Sequence, residues 1–330
     1  HRNQGVTAWA VTSFLFLLTT HLILPKMNAS EPMEPTENYL DTSDGKIHYL
    51  DWGGSGPQAH LLHANGFCAG TYSPFVRFLL DDLHVIASDV RGHGGSDLPD
   101  IKPIRHWNIF ADDLKTLIEQ IMSPPIIAMG HSLGAVTTYI AAATYPRLFS
   151  CIILIDPPIF SPRLLQLVAA MKWMGLAGRI PLARIARRRK KTFQGKKEAL
   201  KRFVSGRGIF KTWSREFVEA YLECGLLEKD SETAILKCDP ELEAQIFESI
   251  PLDVWKYAEK ISCPVLAIRG EHSNTFKADA AERLKILIAD YELATIADAG
   301  HFIPMGKPEE CARVIVDFIH QRVAKCRRTY

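Results

Sequence analysis

The chain has 330 residues, 47% of them hydrophobic, with 39 basic and 37 acidic side chains and a formal net charge of +2. It is too apolar for a disordered polypeptide and long enough to bury one large α/β core plus an inserted subdomain. Near-neutral charge gives no general attraction to nucleic acid, and the 7 cysteines, odd in number and scattered without metal-ligand spacing, predict reduced thiols and no metal site.

Residues 5–24, GVTAWAVTSFLFLLTTHLIL, form an apolar stretch long enough for a membrane anchor or signal helix. Met27 opens a polar segment, MNASEPMEP, typical of a soluble start. Two expectations follow for residues 1–34: a cytoplasmic protein translated from Met27, or a chain anchored or exported through residues 5–24, with membrane association there.

Two alternating segments, Glu37–Thr42 and Lys46–Trp52, flank Ser43-Asp44-Gly45 and predict an antiparallel hairpin. Short apolar runs then recur at His60–Leu62, His84–Ser88, Ile126–Met129, Cys151–Ile155, Pro264–Ile268 and Leu293–Ile296. Helical stretches fall between and after them, over Pro74–Leu80, Ile109–Met122, Ala135–Tyr145, Ala278–Ala289 and Pro308–Val323. Near-continuous apolar strands are those buried on both faces of a parallel sheet. The alternation therefore predicts an α/β fold with a doubly wound, mostly parallel sheet, whose ligands gather at strand carboxyl ends. Between Pro158 and Ile250 the rhythm breaks, and helical periodicity without strands predicts a helical cap over 158–250, inserted into a core of 35–157 and 251–330.

Gly130-His131-Ser132-Leu133-Gly134 follows the run Ile126–Met129 and precedes a helical stretch, which puts Ser132 on a strand-to-helix turn. A G-x-S-x-G match alone is weak, but in this context it marks a nucleophilic serine at a helix N-terminus, where the Leu133 N–H can meet a developing oxyanion. A serine hydroxyl needs a base, and that base needs an orienting group. His301, in the loop after Leu293–Ile296, is the candidate base; His131, inside the elbow, and His93 read as packing and loop residues.

Together with these, His63-Ala64-Asn65-Gly66-Phe67 and Asp89-Val90-Arg91-Gly92-His93-Gly94-Gly95-Ser96 make residues 36–325 resemble the α/β-hydrolase family, with its fold. The resemblance implies an oxyanion hole built from the backbone N–H groups of Leu133 and Asn65, although Ala64 stands where the family usually carries glycine. The family most often places its acid in the loop that here reads Gly270-Glu271-His272-Ser273-Asn274-Thr275, which has no aspartate. Asp156, at the end of the preceding strand, is the expected acid instead, an arrangement resembling that of the haloalkane dehalogenase branch. Glu271, Asp298 or a water-supported dyad are the alternatives.

The cap divides into an apolar part, Leu164–Leu176 with Met171, Trp173 and Met174, and a basic part, Arg179–Arg202. It reads either as an acyl-binding lid with a basic collar or as an amphipathic helix with a solvated charged face; the run Gly206–Trp213 looks like a cap signature of poorly characterised α/β-hydrolases. The expected function is a serine hydrolase that cleaves a carboxylic ester, thioester or lactone of a small-molecule acyl substrate through an acyl-enzyme. It needs no metal, cofactor or nucleic-acid partner. A carbon–carbon bond hydrolase, a cofactor-free haloperoxidase and a catalytically silent binding protein are the alternatives, while an epoxide or haloalkane hydrolase would need an aspartate nucleophile.

Overall fold

A computed structural model describes residues 34–98, 104–205, 208–230 and 232–327, with side chains through residue 322. The apolar stretch 5–24 and the expectations resting on it lie outside these residues. Among the described residues, no helix is long and apolar enough to cross a membrane.

The hairpin forms from β1 (Thr36–Thr42) and β2 (Gly45–Asp51), closed by a two-residue loop with Thr42 opposite Gly45. Next come β3 (Gln58–Leu62), the one-turn α1 (Ser73–Val76), β4 (His84–Ser88), α2 (Asn108–Ile121), β5 (Ile126–His131), α3 (Leu133–Thr144) and β6 (Phe149–Ile155). After the inserted segment the chain returns through β10 (Val265–Gly270), α9 (Ala278–Leu287), β11 (Tyr291–Ile296), the short α10 (Ile303–Gly306) and α11 (Pro308–Arg327). The eight strands of the main sheet lie in the order β1-β2-β4-β3-β5-β6-β10-β11, parallel from β4 onward. This is the doubly wound α/β sheet that the sequence predicts. The order reverses at β3, which pairs with β4 on one side and β5 on the other, so the ligand crevice is expected at the carboxyl ends beside β3 and β5.

Alternation along the strands explains why each run is apolar throughout. Ile127 and Met129 of β5, Cys151, Ile153 and Ile155 of β6, and Leu266 and Ile268 of β10 enter one core. Their neighbours Ile126, Ala128, Ile152, Leu154, Val265 and Ala267 enter a second core on the other face. α2 covers the second core with Phe110, Ala111, Leu114 and Ile118, a stripe at helical spacing.

Between β6 and β10 lie α4 (Pro162–Trp173), α5 (Pro181–Arg187), β7 (Thr192–Phe193), α6 (Gly195–Val204), α7 (Arg215–Gly225), β8 (Leu226–Glu228), β9 (Ala234–Leu236) and α8 (Pro240–Glu248). This segment is not wholly helical as expected: β7, β9 and β8 form a small antiparallel sheet. Strands of two or three residues are too short to show a period of two in sequence. Phe193, Phe210, Trp213, Phe217 and Tyr221 from this segment join the same core as Phe67, Tyr72 and Phe75, so the insertion packs continuously onto the sheet.

The expectation of uniformly reduced thiols is also corrected. Cys68, just after the loop that follows β3, forms a disulfide with Cys224 at the end of α7, across a sequence separation of 156. Only the fold brings two positions so distant together, while Cys151, Cys238, Cys263 and Cys311 are buried free thiols. A cross-link over so long a loop restricts the unfolded chain, so Cys224→Ser is expected to lower stability by roughly 2–5 kcal/mol. Denaturant unfolding of the variant beside the parent, with and without a thiol reductant, checks this; equal stability in all four samples would contradict it.

Candidate active site

Ser132 sits immediately beyond β5 with φ 55° and ψ −114°, a left-handed conformation that a non-glycine residue holds only at a cost of about 1–3 kcal/mol. The flanking glycines make this turn possible. A Cβ on Gly130 would lie 2.2 Å from the Gly134 carbonyl oxygen, and one on Gly134 would lie 2.1 Å from the carbonyl oxygen of Leu62, so any larger residue would push strand and helix apart. The Ser132 N–H donates to the Ile155 carbonyl at 3.0 Å, which pins the turn to the next strand.

Register places the acid. His131 pairs with Ile155, so Ser132 and Asp156 occupy equivalent positions one residue past adjacent strand ends. Asp156 is fully buried, also adopts a positive φ of 43°, and donates its N–H to Ile268 at 2.7 Å. Its Oδ1 accepts from the Gly270 N–H at 3.1 Å, and its Oδ2 accepts from Ser273 Oγ at 2.6 Å and from His301 Nδ1 at 2.7 Å. On the other side of the ring, Ser132 Oγ lies 3.0 Å from His301 Nε2. Ser132, His301 and Asp156 thus form one hydrogen-bonded line.

No signal in the sequence singles out Ser273. It stands in the loop after β10 where an acid is usual and uses its hydroxyl to hold the acid of the neighbouring strand. The alternative acids lie elsewhere. Glu271 and Asp298 are exposed, with Glu271 Oε2 accepting the Asp298 backbone N–H at 3.1 Å. Neither is bonded to His301 among the described residues. Glu271, His272 and Asp298 bring ligand atoms within 4.8 Å of one another, all three exposed, an ordinary arrangement for surface acids.

The loop after β3 is fixed by three buried histidines. His63 donates from Nδ1 to the Ala64 carbonyl at 2.7 Å and accepts the Val90 N–H on Nε2 at 2.8 Å. His93 donates from Nδ1 to the Arg91 carbonyl at 3.2 Å and accepts the Gly66 N–H on Nε2 at 3.1 Å. The third forms a relay: the Ala64 N–H donates to Tyr72 Oη at 3.0 Å, Tyr72 donates to His131 Nδ1 at 2.7 Å, and His131 Nε2 donates to the His301 carbonyl at 3.0 Å. Each ring gives one proton and receives one, a pattern only neutral imidazole satisfies. Burial agrees: it pulls His93, and His60 on β3, down to about 3, lowers His63, and drives His131 well below its ordinary 6.5. His131 and His93 therefore do more than pack.

With the Ala64 N–H committed to Tyr72 and the Gly66 N–H to His93, the backbone N–H of Asn65 is left without an acceptor among the described residues, as is that of Leu133 at the start of α3. Both residues line the same cavity as Ser132 and His301. Asn65 is held from the cap side, where its Nδ2 donates to the Glu243 carbonyl at 3.0 Å and the Glu243 carboxylate pairs with Arg189.

The cavity has a volume of about 510 Å³, within the range of small-molecule sites. Its walls are Phe67, Phe160, Leu182, Ile185, Phe193, Phe203, Phe210, Phe247 and Ile250, with Arg188, Arg189, Lys190 and Arg202 also reaching it. The lid expected from Met171, Trp173 and Met174 is not the one observed. None of the three lines the cavity, and Trp173 is 89% exposed, because α4 turns that end of its apolar stripe to solvent.

A family model described as alpha/beta hydrolase fold matches residues 59–308. The chain is similar to 2-(acetamidomethylene)succinate hydrolase of Mesorhizobium japonicum, 28% identical over 267 residues, covering 81% of this chain and 89% of the relative. Among solved structures, E-2-(acetamidomethylene)succinate hydrolase superposes with a TM-score of 0.71 at 24% identity, covering 87% of this chain and 99% of that one. A thioesterase domain from the curacin biosynthetic pathway superposes at 0.66 with 16% identity, covering 86% and 99%. At these identities the structural matches establish the fold.

The neutral histidines set the sign of the acid response. Below pH 6.5 the unfolded chain takes up protons on these four rings that the folded chain refuses, so their contribution is complete above 6.5 and declines as pH falls toward about 3. His60 and His93, pushed down to about 3, are each expected to cost roughly 1.4 kcal/mol per pH unit in that window, and His63 and His131 act in the same direction. Urea unfolding at pH 7.5 and 5.5 should show a clear loss at the lower pH; equal or greater stability there would contradict the assignment.

Proposed function

This chain belongs to the α/β-hydrolase fold family, and we propose that within it the chain is a serine hydrolase cleaving a carboxylic ester through an acyl-enzyme. The observation that carries the proposal is His301, hydrogen-bonded at once to a hydroxyl and to a buried carboxylate. His301 Nε2 takes the Ser132 proton as Oγ attacks the ester carbonyl. Asp156 fixes the Nδ1–H tautomer and stabilises the imidazolium that forms. The free N–H groups of Asn65 and Leu133 donate hydrogen bonds to the oxyanion that develops from the carbonyl oxygen, and the N-terminus of α3 adds its dipole. The imidazolium then protonates the departing alkoxide, and a water, deprotonated by the same nitrogen, releases the acid.

What else faces the cavity is compatible with an ester. The one carboxylate among its described lining residues, Glu243, is paired with Arg189, so His301 alone is left to protonate a leaving group. An alkoxide needs only that one proton. The relative named as a hydrolase of a succinate derivative and the fold neighbour named as a thioesterase domain keep hydrolysis within the chemistry of similar proteins.

Asp156→Asn is expected to lower kcat on an activated ester by roughly a thousandfold to ten-thousandfold, because it imposes the wrong tautomer. Ser273→Ala removes one hydrogen bond to the carboxylate and is expected to cost about tenfold. Steady-state kinetics with p-nitrophenyl acyl esters measures both. Near-parental turnover in Asp156→Asn would remove that residue from the mechanism.

A further inference from the structure

In the basic run from Arg187 to Lys191, four of the five cations are held by carboxylates: Arg187 by Glu241 and Glu248, Arg189 by Glu243, Lys190 by Glu198 and Lys191 by Asp239. Arg188 has no carboxylate within 4.0 Å among the described residues, and it is the member of the run that lines the cavity without a partner. Arg202, on α6, lines the same cavity and is likewise free of an ion pair there. Of the charged side chains at the cavity, Arg189 cancels Glu243 and Lys190 is cancelled by Glu198, which leaves two uncompensated guanidiniums above otherwise largely aromatic walls.

A guanidinium matches a carboxylate through two parallel N–H···O bonds. Arg188 follows the last residue of α5, and Arg202 lies in the last turn of α6. Helix carboxyl ends carry partial negative charge and offer no free N–H groups, so they favour the cations while adding none of the backbone donors typical of phosphate sites. We infer that the substrate carries a carboxylate remote from the scissile bond, and that Arg188 and Arg202 recognise it. The substrate class is then the monoester of a dicarboxylic acid, with aromatic walls around the connecting chain. This inference rests on the ester-hydrolase reading above for the reacting end and on the two arginines alone for the other.

The test uses the full chain and two readouts. The first is kcat/KM for monomethyl esters of dicarboxylic acids, from succinate to suberate, against methyl esters of monocarboxylic acids of matched length. The second is calorimetric binding of the same monoesters to Ser132→Ala protein, which needs no turnover. The acid monoester at its best length is expected to be preferred by about tenfold or more, with the preference falling toward unity in Arg188→Gln, Arg202→Gln and the double variant. Binding to Ser132→Ala should weaken by a similar factor when those substitutions are added, and Arg188→Lys, which keeps charge but loses the fork, should fall between. Equal or better turnover of neutral esters, or a preference insensitive to the arginines, overturns the anion site and leaves ester hydrolysis standing. Arginine-dependent binding without cleavage of any ester overturns the ester reading and leaves the anion site standing, and the absence of both overturns both.

Discussion

The bond from His301 Nδ1 to the buried carboxylate of Asp156 is the interaction on which the site depends, because it fixes a ring at the edge of the cavity with its other nitrogen toward Ser132. A buried carboxylate is costly unless its lone pairs are occupied, and three donors occupy these: the Gly270 N–H, the Ser273 hydroxyl and His301. The donors come from the last residue of β10, the loop after it and the loop after β11, and converge on the end of β6. Only a parallel sheet with these strands adjacent makes that convergence possible, so the topology and the imidazole's orientation are one constraint seen at two scales.

The same logic extends outward from the site. Neutral histidines and Tyr72 couple the loop after β3 to the loop bearing His301 through alternating donors and acceptors, and the disulfide from Cys68 ties that region to the inserted segment. The Arg189–Glu243 pair lies over the same loop, and Glu243 holds the Asn65 side chain through its carbonyl. A buried network of this kind is favourable only when every member is satisfied. It also decides which backbone N–H groups remain free, and here those of Ala64 and Gly66 are committed while that of Asn65 is not. With alanine at position 64, the Asn65 N–H is left free to serve as the proposed oxyanion donor.

What the sequence made legible was governed by local rules. The apolar runs revealed the parallel strands because burial on both faces leaves no polar position, and the elbow was readable because close approach at Gly130 and Gly134 admits no side chain. Asp156 was legible through the family resemblance, which marks the loop after β10 as the usual place for an acid and so draws attention to its lack of an aspartate. Ser273 was not, since a serine becomes a carboxylate's donor only once two strands are side by side. The strands β7, β8 and β9 escaped because they are too short for periodicity, and the Cys68–Cys224 pair because 156 residues separate its members. Met171, Trp173 and Met174 read as a lid from composition, but composition does not say which face of α4 turns inward. The basic run was visible as a block; that four of its five cations are already paired depends, for all but Lys190, on side chains at least 48 residues away.

The most direct test of the central claim is the rate and position of labelling by a fluorophosphonate, read by mass spectrometry of the digested protein. One adduct is expected, on Ser132, formed rapidly in the parent and slowed by orders of magnitude in His301→Ala. An adduct on another residue, or labelling of Ser132 at an undiminished rate without the His301 imidazole, would contradict it.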